Sequence, residues 1–109
     1  MINIFPISDI NANKKYDVTP TFIFDGEKSS DKFINLNIDK DCKIVFLNFN
    51  DNFTLNCSIY SQKNVMLSFF SSSYVRDINL NIDIKEKSQL TAYFADFIQG
   101  DTKMHVNIN

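Results

Sequence analysis

The chain offers few residues that could carry chemistry, with two cysteines and one histidine among 109 residues. Cys57 alternates in phase with Leu55, which predicts a small, buried apolar residue, because free cysteine is among the most buried residue types. Cys42 lies between Asp41 and Lys43, and this charged stretch predicts a turn with an accessible thiol whose pKa the lysine can lower. Two cysteines alone cannot complete an iron–sulfur cluster or a structural zinc site. We therefore expect no metal site and no cofactor.

The other polar groups favour structural roles. His105 is the single histidine, which excludes a His-x-His metal box, and its alternation with Met104 and Val106 predicts a solvated strand residue. The serines at 71–73 lack the Gly-x-Ser-x-Gly context of a nucleophile elbow. Two isolated glycines cannot build a phosphate loop or a dinucleotide fingerprint. No catalytic residue is identified, and we expect a protein that is not an enzyme.

An internal repeat indicates which elements position these residues. The hexapeptide Ile-Asn-Leu-Asn-Ile-Asp occurs at Ile34–Asp39 and again at Ile78–Asp83. Each copy opens a run of alternating apolar and polar residues, and such alternation places every second side chain on one face of a β-strand. No window of useful length shows helical periodicity. The sequence therefore predicts an all-β protein.

Two kinds of predicted strand follow one another along the chain. One kind has a polar outer face, whereas Ile44–Phe49, Val65–Phe70 and Leu90–Phe97 are apolar on both faces and should be covered on both sides. Equivalent positions recur from Leu36 to Leu55, Leu80 and Val106, so that each interval holds one strand of each kind. A coil with two strands per turn predicts this order, and so does an antiparallel sandwich whose chain shuttles between its sheets. Both arrangements are consistent with the pattern.

Length and composition limit the remaining alternatives. We expect one folding unit, with residues 1–31 as an irregular leader that contains a short strand and covers an end of the core, and residues 32–109 as the repeat-containing β domain. A formal net charge of −2 gives no electrostatic reason to expect nucleic acid or a membrane surface as a partner. The start of the chain lacks the pattern of a signal peptide, and no run approaches a membrane span, so we expect a cytoplasmic protein.

The stretch from Tyr74 to Asn109, with Ile-Asn-Leu-Asn-Ile-Asp-Ile, the charged turn at 85–88 and the apolar strand after it, resembles the core of the SufB/SufD iron–sulfur cluster assembly scaffolds. The resemblance covers residues 33–109. It implies a right-handed parallel β-helix and a non-enzymatic scaffold. Members of that family are several times longer, and their cluster-related cysteine and histidine positions lie in later coils, so none of those residues can be assigned to a position here.

The expected fold is thus a short right-handed parallel β-helix, with an antiparallel β-sandwich as the alternative. For function we consider a scaffold subunit or fragment of iron–sulfur assembly, a general protein-interaction or self-assembling module, and a small ligand-binding β protein. The last strand has no proline to blunt its edge, so we expect a protein partner or a second copy there. The candidate interface residues are Phe70, Tyr93, Met104, Val106 and Ile108.

Asparagines dominate the predicted outer face of the polar strands. They lie at Asn35, Asn37, Asn56, Asn79, Asn81, Asn107 and Asn109. In stacked parallel strands such residues could form hydrogen-bonded ladders that strengthen the sheet. The alternative is a set of individually solvated side chains that reflects compositional bias.

Overall fold

A computed structural model describes residues 4–7, 10, 16–26, 33–47, 53–71, 77–96 and 103–109. At 71, 77, 78, 94–96 and 103–106 the description is confined to the backbone. These residues contain nine strands and no α-helix, which confirms the all-β prediction. The strands are β1 (Ile4–Pro6), β2 (Thr21–Asp25), β3 (Phe33–Ile38), β4 (Cys42–Leu47), β5 (Phe53–Ile59), β6 (Asn64–Ser71), β7 (Asp77–Ile84), β8 (Gln89–Asp96) and β9 (Lys103–Ile108).

The strands form two sheets, and the chain crosses from one sheet to the other at each step from β2 onward. Sheet A has the order β1-β2-β4-β6-β8, and sheet B has the order β3-β5-β7-β9. Every strand pair within the described residues is parallel. The antiparallel sandwich considered from the sequence is therefore wrong for this part of the chain. Hydrophobic alternation fixes which face of a strand is buried, but it carries no information on strand direction.

One apolar core lies between the two sheets. Phe22, Ile44 and Leu67 of sheet A and Leu55 and Ile59 of sheet B are fully buried, and they belong to a single cluster of buried residues. Aromatic rings fill the core near the carboxyl ends of the sheet A strands, where Phe46 stacks on Phe69 with ring centroids 4.8 Å apart. Ile10 joins the same cluster, with Phe5, Ile7 and Tyr16 packed against it.

The backbone register corrects the equivalence inferred from the repeat. Leu36 pairs with Cys57 rather than with Leu55, while Leu55 pairs with Leu80 as expected. The first interval is therefore 21 residues rather than the 19 inferred, and the two hexapeptide copies lie two residues out of register with each other. A shift of two residues preserves the inward and outward phase of every side chain, so hydrophobic alternation alone cannot detect it.

Hydrogen bonds join the two corners at residues 60–63 and 85–88, where the chain crosses from sheet B to sheet A in successive turns of the stacked strands. The backbone amide of Gln89 donates to the backbone carbonyl of Lys63 at 2.9 Å, and the backbone amide of Gln62 donates to the backbone carbonyl of Glu86 at 3.2 Å. The Ser88 hydroxyl lies between the two turns, where it accepts from the Lys63 amide and donates to the Tyr60 carbonyl. These contacts fix the two corners on each other.

Candidate interaction surfaces

The two cysteines lie in the core rather than at an accessible site. Cys57 is buried as predicted, but Cys42 is the first residue of β4 and is only 1% exposed, so the prediction of an accessible turn thiol is wrong. The turn ends at Asp41, before Cys42 rather than after it, and the alternation of side chains along β4 then directs Cys42 inward. Burial raises the pKa of Cys42 to about 12, and the nearby Cys57 acts in the same direction. Burial also raises the pKa of Cys57 to about 12.

These values decide what the thiols can do at neutral pH. A thiol must lose its proton to act as a nucleophile or a metal ligand, and both thiols stay protonated until strongly alkaline pH. His105 lies in β9 at a position where only the backbone is described. Among the described residues, no three His, Cys, Asp or Glu side chains lie together in a way that could hold a metal ion. Cys42 and Cys57 are therefore structural residues.

The outer face of sheet B carries an asparagine ladder. The side-chain amide of Asn56 donates to Asn35 Oδ1 at 3.0 Å, that of Asn81 donates to Asn56 Oδ1 at 2.9 Å, and that of Asn107 donates to Asn81 Oδ1 at 3.0 Å. Parallel, in-register strands bring identical side chains within hydrogen-bond distance at every step, as in stacked β structures. Of the two alternatives that the sequence left open for these four asparagines, the structure has the ladder, and each of its hydrogen bonds is donated toward the amino-terminal end of the stack.

The outer face of sheet A carries apolar side chains among polar ones and is only partly covered. Ile23, Val45 and Met66 point outward and are half-buried, whereas Phe70 and Tyr93 are 39% and 54% exposed. The expectation that these strands are fully covered on both faces is thus not met for Phe70 and Tyr93 in the part of the chain described. Both of these candidate interface residues lie on this outer face.

Among the described residues, the inward-facing side chains are buried at one end of the stack and partly exposed at the other. Inward-facing Ile34 and Leu36 of β3, at the amino-terminal end, are buried at 9% and 4% exposure. At the other end, Ile108 is in the same row as the buried Ile82, yet it is 58% exposed. Leu90 continues the row of Cys42 and Val65 and is likewise less buried than they are.

We call this second region the open end and define it by the outer edges of β8 and β9 together with Leu90 and Ile108. Each of the two strands pairs on one side only within the described residues. The candidate interface residue Ile108 belongs to the open end, whereas the side chains of Met104 and Val106 lie outside the described ones. Sequence reasoning missed Leu90, although its spacing of 25 residues from Val65 was a usable signal.

A shallow cleft of about 250 Å³ follows the amino ends of β4, β6 and β8. Asp41, Asn64 and Gln89 line it in successive layers, with Lys43 and Thr91 beside them. The Asp41 carboxylate accepts a hydrogen bond from the Asn64 backbone amide at 2.9 Å, so that this carboxylate serves the adjoining turn. Asp41 and Lys43 are the charged residues among the described ones that line the cleft.

Comparisons with family models, with curated proteins and with solved structures found no match for this chain. Within the described residues, no helix is long and apolar enough to cross a membrane. Three features of the described surface remain for a functional argument. They are the asparagine ladder, the exposed aromatic residues Phe70 and Tyr93 on the outer face of sheet A, and the open end.

Proposed function

We propose that this chain is a non-enzymatic scaffold, a short right-handed parallel β-helix that holds another protein at its open end. The handedness follows from a general rule: connections between parallel neighbours of one sheet that pass through another layer are right-handed in about 98% of cases. The steps from β3 through β4 to β5 and from β5 through β6 to β7 are of this kind. A right-handed coil also agrees with the resemblance noted in the sequence.

The observation that carries the proposal is the unequal burial of the two ends. Ile108 is 58% exposed in a row whose other members are buried. Unpaired strand edges readily accept another strand, and proteins normally blunt them with lysine, proline or a bulge. Within the described residues, β8 contains none of these residues and β9 has a lysine only at its first position. A partner strand would satisfy the backbone groups and bury Leu90 and Ile108 in one step.

Iron–sulfur cluster assembly is the specific setting that we propose for this scaffold. Its support is the rhythm of alternating strand, charged corner and apolar strand that resembles the SufB/SufD core. Because both thiols are buried and stay protonated, the role proposed for this chain is structural, with cluster ligands supplied by its partner. We place the scaffold in the cytoplasm, where unpaired thiols remain reduced.

Hydrogen exchange measured by mass spectrometry tests the scaffold proposal. The amides of β8 and β9 are followed alone and with a purified SufB/SufD-type scaffold protein. We expect these amides to exchange faster than those of β5 in the isolated chain at low concentration, and to gain protection when the partner is added. Protection at the open end that neither a partner nor a higher concentration of this chain changes would refute the scaffold proposal. Protection at higher chain concentration without any response to the SufB/SufD-type protein would refute the iron–sulfur setting alone.

A further inference from the structure

We propose that the occupant of the open end is the open end of a second copy of this chain. The two copies are related by a two-fold axis parallel to the strands, so that β8 of each copy pairs with β9 of the other. Such an interface is isologous, because both copies contribute the same surface. The inference rests on the proposed scaffold function and specifies its partner.

The strands of the two sheets run in opposite directions. Three residues link β3 to β4, and four residues link β5 to β6 and β7 to β8. Each residue spans at most about 3.6 Å, so these links cannot return along a strand of six to eight residues and also cross the core. From β2 onward, successive strands therefore run in opposite directions, and all strands of sheet A oppose those of sheet B. A β8–β9 pair between two copies related by this axis is then antiparallel.

The strands of the two sheets are staggered along the direction in which the strands stack. Neighbouring strands of a sheet lie about 4.8 Å apart, and the chain rises about half of this spacing at each crossing. Sheet B ends with β9, half a turn beyond β8, the last strand of sheet A. Rotation about an axis parallel to the strands exchanges the sheets, so β9 of the second copy fills the next position beside β8. The same rotation places β8 of the second copy in the next position beside β9.

The competing two-fold arrangement does not fit. An axis perpendicular to the sheets would continue sheet A with sheet A and sheet B with sheet B. Placing β8 beside β8 at a strand spacing of about 4.8 Å then puts the two β9 strands in the same position. If the copies move apart until the two β9 strands are neighbours, the two β8 strands are separated by a gap that is one strand wide. The stagger of the sheets therefore selects the β8–β9 pairing.

The apolar residues near the strand ends fit this arrangement. Asp96 ends β8 and Lys103 begins β9, so both lie at one corner of the stack. Rotation about an axis parallel to the strands brings the backbone of Asp96 of one copy beside the backbones of Lys103 and Met104 of the other. At the opposite corner, Leu90 and Ile108 of one copy meet Ile108 and Leu90 of the other. The rotation also places Ala92, an exposed residue in the inward row of Ile44 and Leu67, beside Ile108 of the other copy, so that these exposed inward residues are covered.

Sedimentation equilibrium of the 109-residue chain from 1 to 100 μM tests the association. We expect a dimer whose dissociation constant increases at least tenfold with Ile108→Lys and less than twofold with Phe33→Lys. The control is matched because Phe33 is 68% exposed but lies on β3, at the opposite edge of sheet B. A monomer throughout this range, or equal effects of the two variants, would overturn the proposal.

Disulfide crosslinking tests the pairing itself and does not depend on the Ile108 variant. Asp96→Cys mixed with Met104→Cys should give a crosslinked dimer, since those backbones become neighbours and both positions have the strand phase of the inward residues. Each variant alone should give none, because the equivalent positions of the two copies lie about 10 Å apart across the stack, beyond the reach of a disulfide. Crosslinking of Asp96→Cys with itself would overturn the proposed axis.

These results separate the inference from the scaffold proposal. A monomeric chain whose open end is protected by a SufB/SufD-type protein would refute the second copy as occupant and leave the scaffold proposal standing. A monomer that also shows no change in exchange at the open end would refute both.

Discussion

The asparagine ladder gives the sharpest test of the stacking described above, through Asn81→Ala. Asn81 both donates to Asn56 and accepts from Asn107, so its truncation removes two side-chain hydrogen bonds. A typical intramolecular hydrogen bond contributes about 0.5–1.5 kcal/mol net. The ladder is exposed, and water partly replaces the lost partners, so we expect the lower part of the combined range, about 1–1.5 kcal/mol. For a chain of this size that loss corresponds to a decrease in Tm of roughly 4–10 °C.

Asn79→Ala is the matched control. Asn79 lies two residues earlier on the same strand and faces the same side of the sheet, in a row with Thr54 and His105. The control therefore includes the change in strand propensity from asparagine to alanine and omits the ladder. We expect Asn79→Ala to reduce the free energy of unfolding by less than about 0.5 kcal/mol, as for most surface substitutions.

Urea unfolding followed by circular dichroism measures both variants, with equal m-values required for the comparison. A double-mutant cycle of Asn56→Ala and Asn81→Ala then isolates the bond between them, and we expect a coupling energy of about 0.5–1 kcal/mol. Equal losses at positions 79 and 81, or a coupling energy of zero, would show that the ladder does not contribute to stability. The register of sheet B would then lose its strongest side-chain support.

Further predictions concern the core, the thiols and the corners. Leu80→Asn buries an unpaired amide at a position that is 1% exposed, so we expect a loss above about 4 kcal/mol and a disordered far-ultraviolet spectrum; a native-like spectrum would contradict the assigned phase. Cys42 and Cys57 should resist a thiol reagent at pH 8 until denaturant is added, and rapid native labelling would contradict their burial. Burial raises both pKa values from 9.0 to about 12. The contribution of the two thiols to stability is therefore fully present below pH 9 and is lost as the pH rises toward 12. Urea titrations of the wild type and of Cys42→Ala across this pH range measure that loss. Lys87 has a φ of 64°, so we expect Lys87→Gly to be neutral or stabilising by up to about 1 kcal/mol, whereas Glu86→Gly should destabilise; the same loss for both would contradict this.

Several features were predictable because they depend on local alternation. Leu55, Cys57 and Ile59 are buried as their phase predicts, and Asn56 lies on the outer face. The prediction for Cys42 failed because the charged residues beside it suggested a turn. The length of a turn depends instead on how few residues are needed to connect two strands, and the local sequence does not show this. Only three residues separate β3 from β4, whereas the sequence suggested a longer turn that included Cys42.

The amino-acid sequence by itself determined that the chain forms β-strands and which face of most of them is buried, because the side-chain period of two is a local property. Only the tertiary structure decided that the strands are parallel, which residues pair across them and that the two hexapeptide copies are two residues out of register. It also decided that Leu90 and Ile108, at one end of the described core, are less buried than the other described residues of their rows. Strand direction and register depend on contacts between residues more than 20 positions apart, and a slip of two residues leaves the local pattern of alternation unchanged.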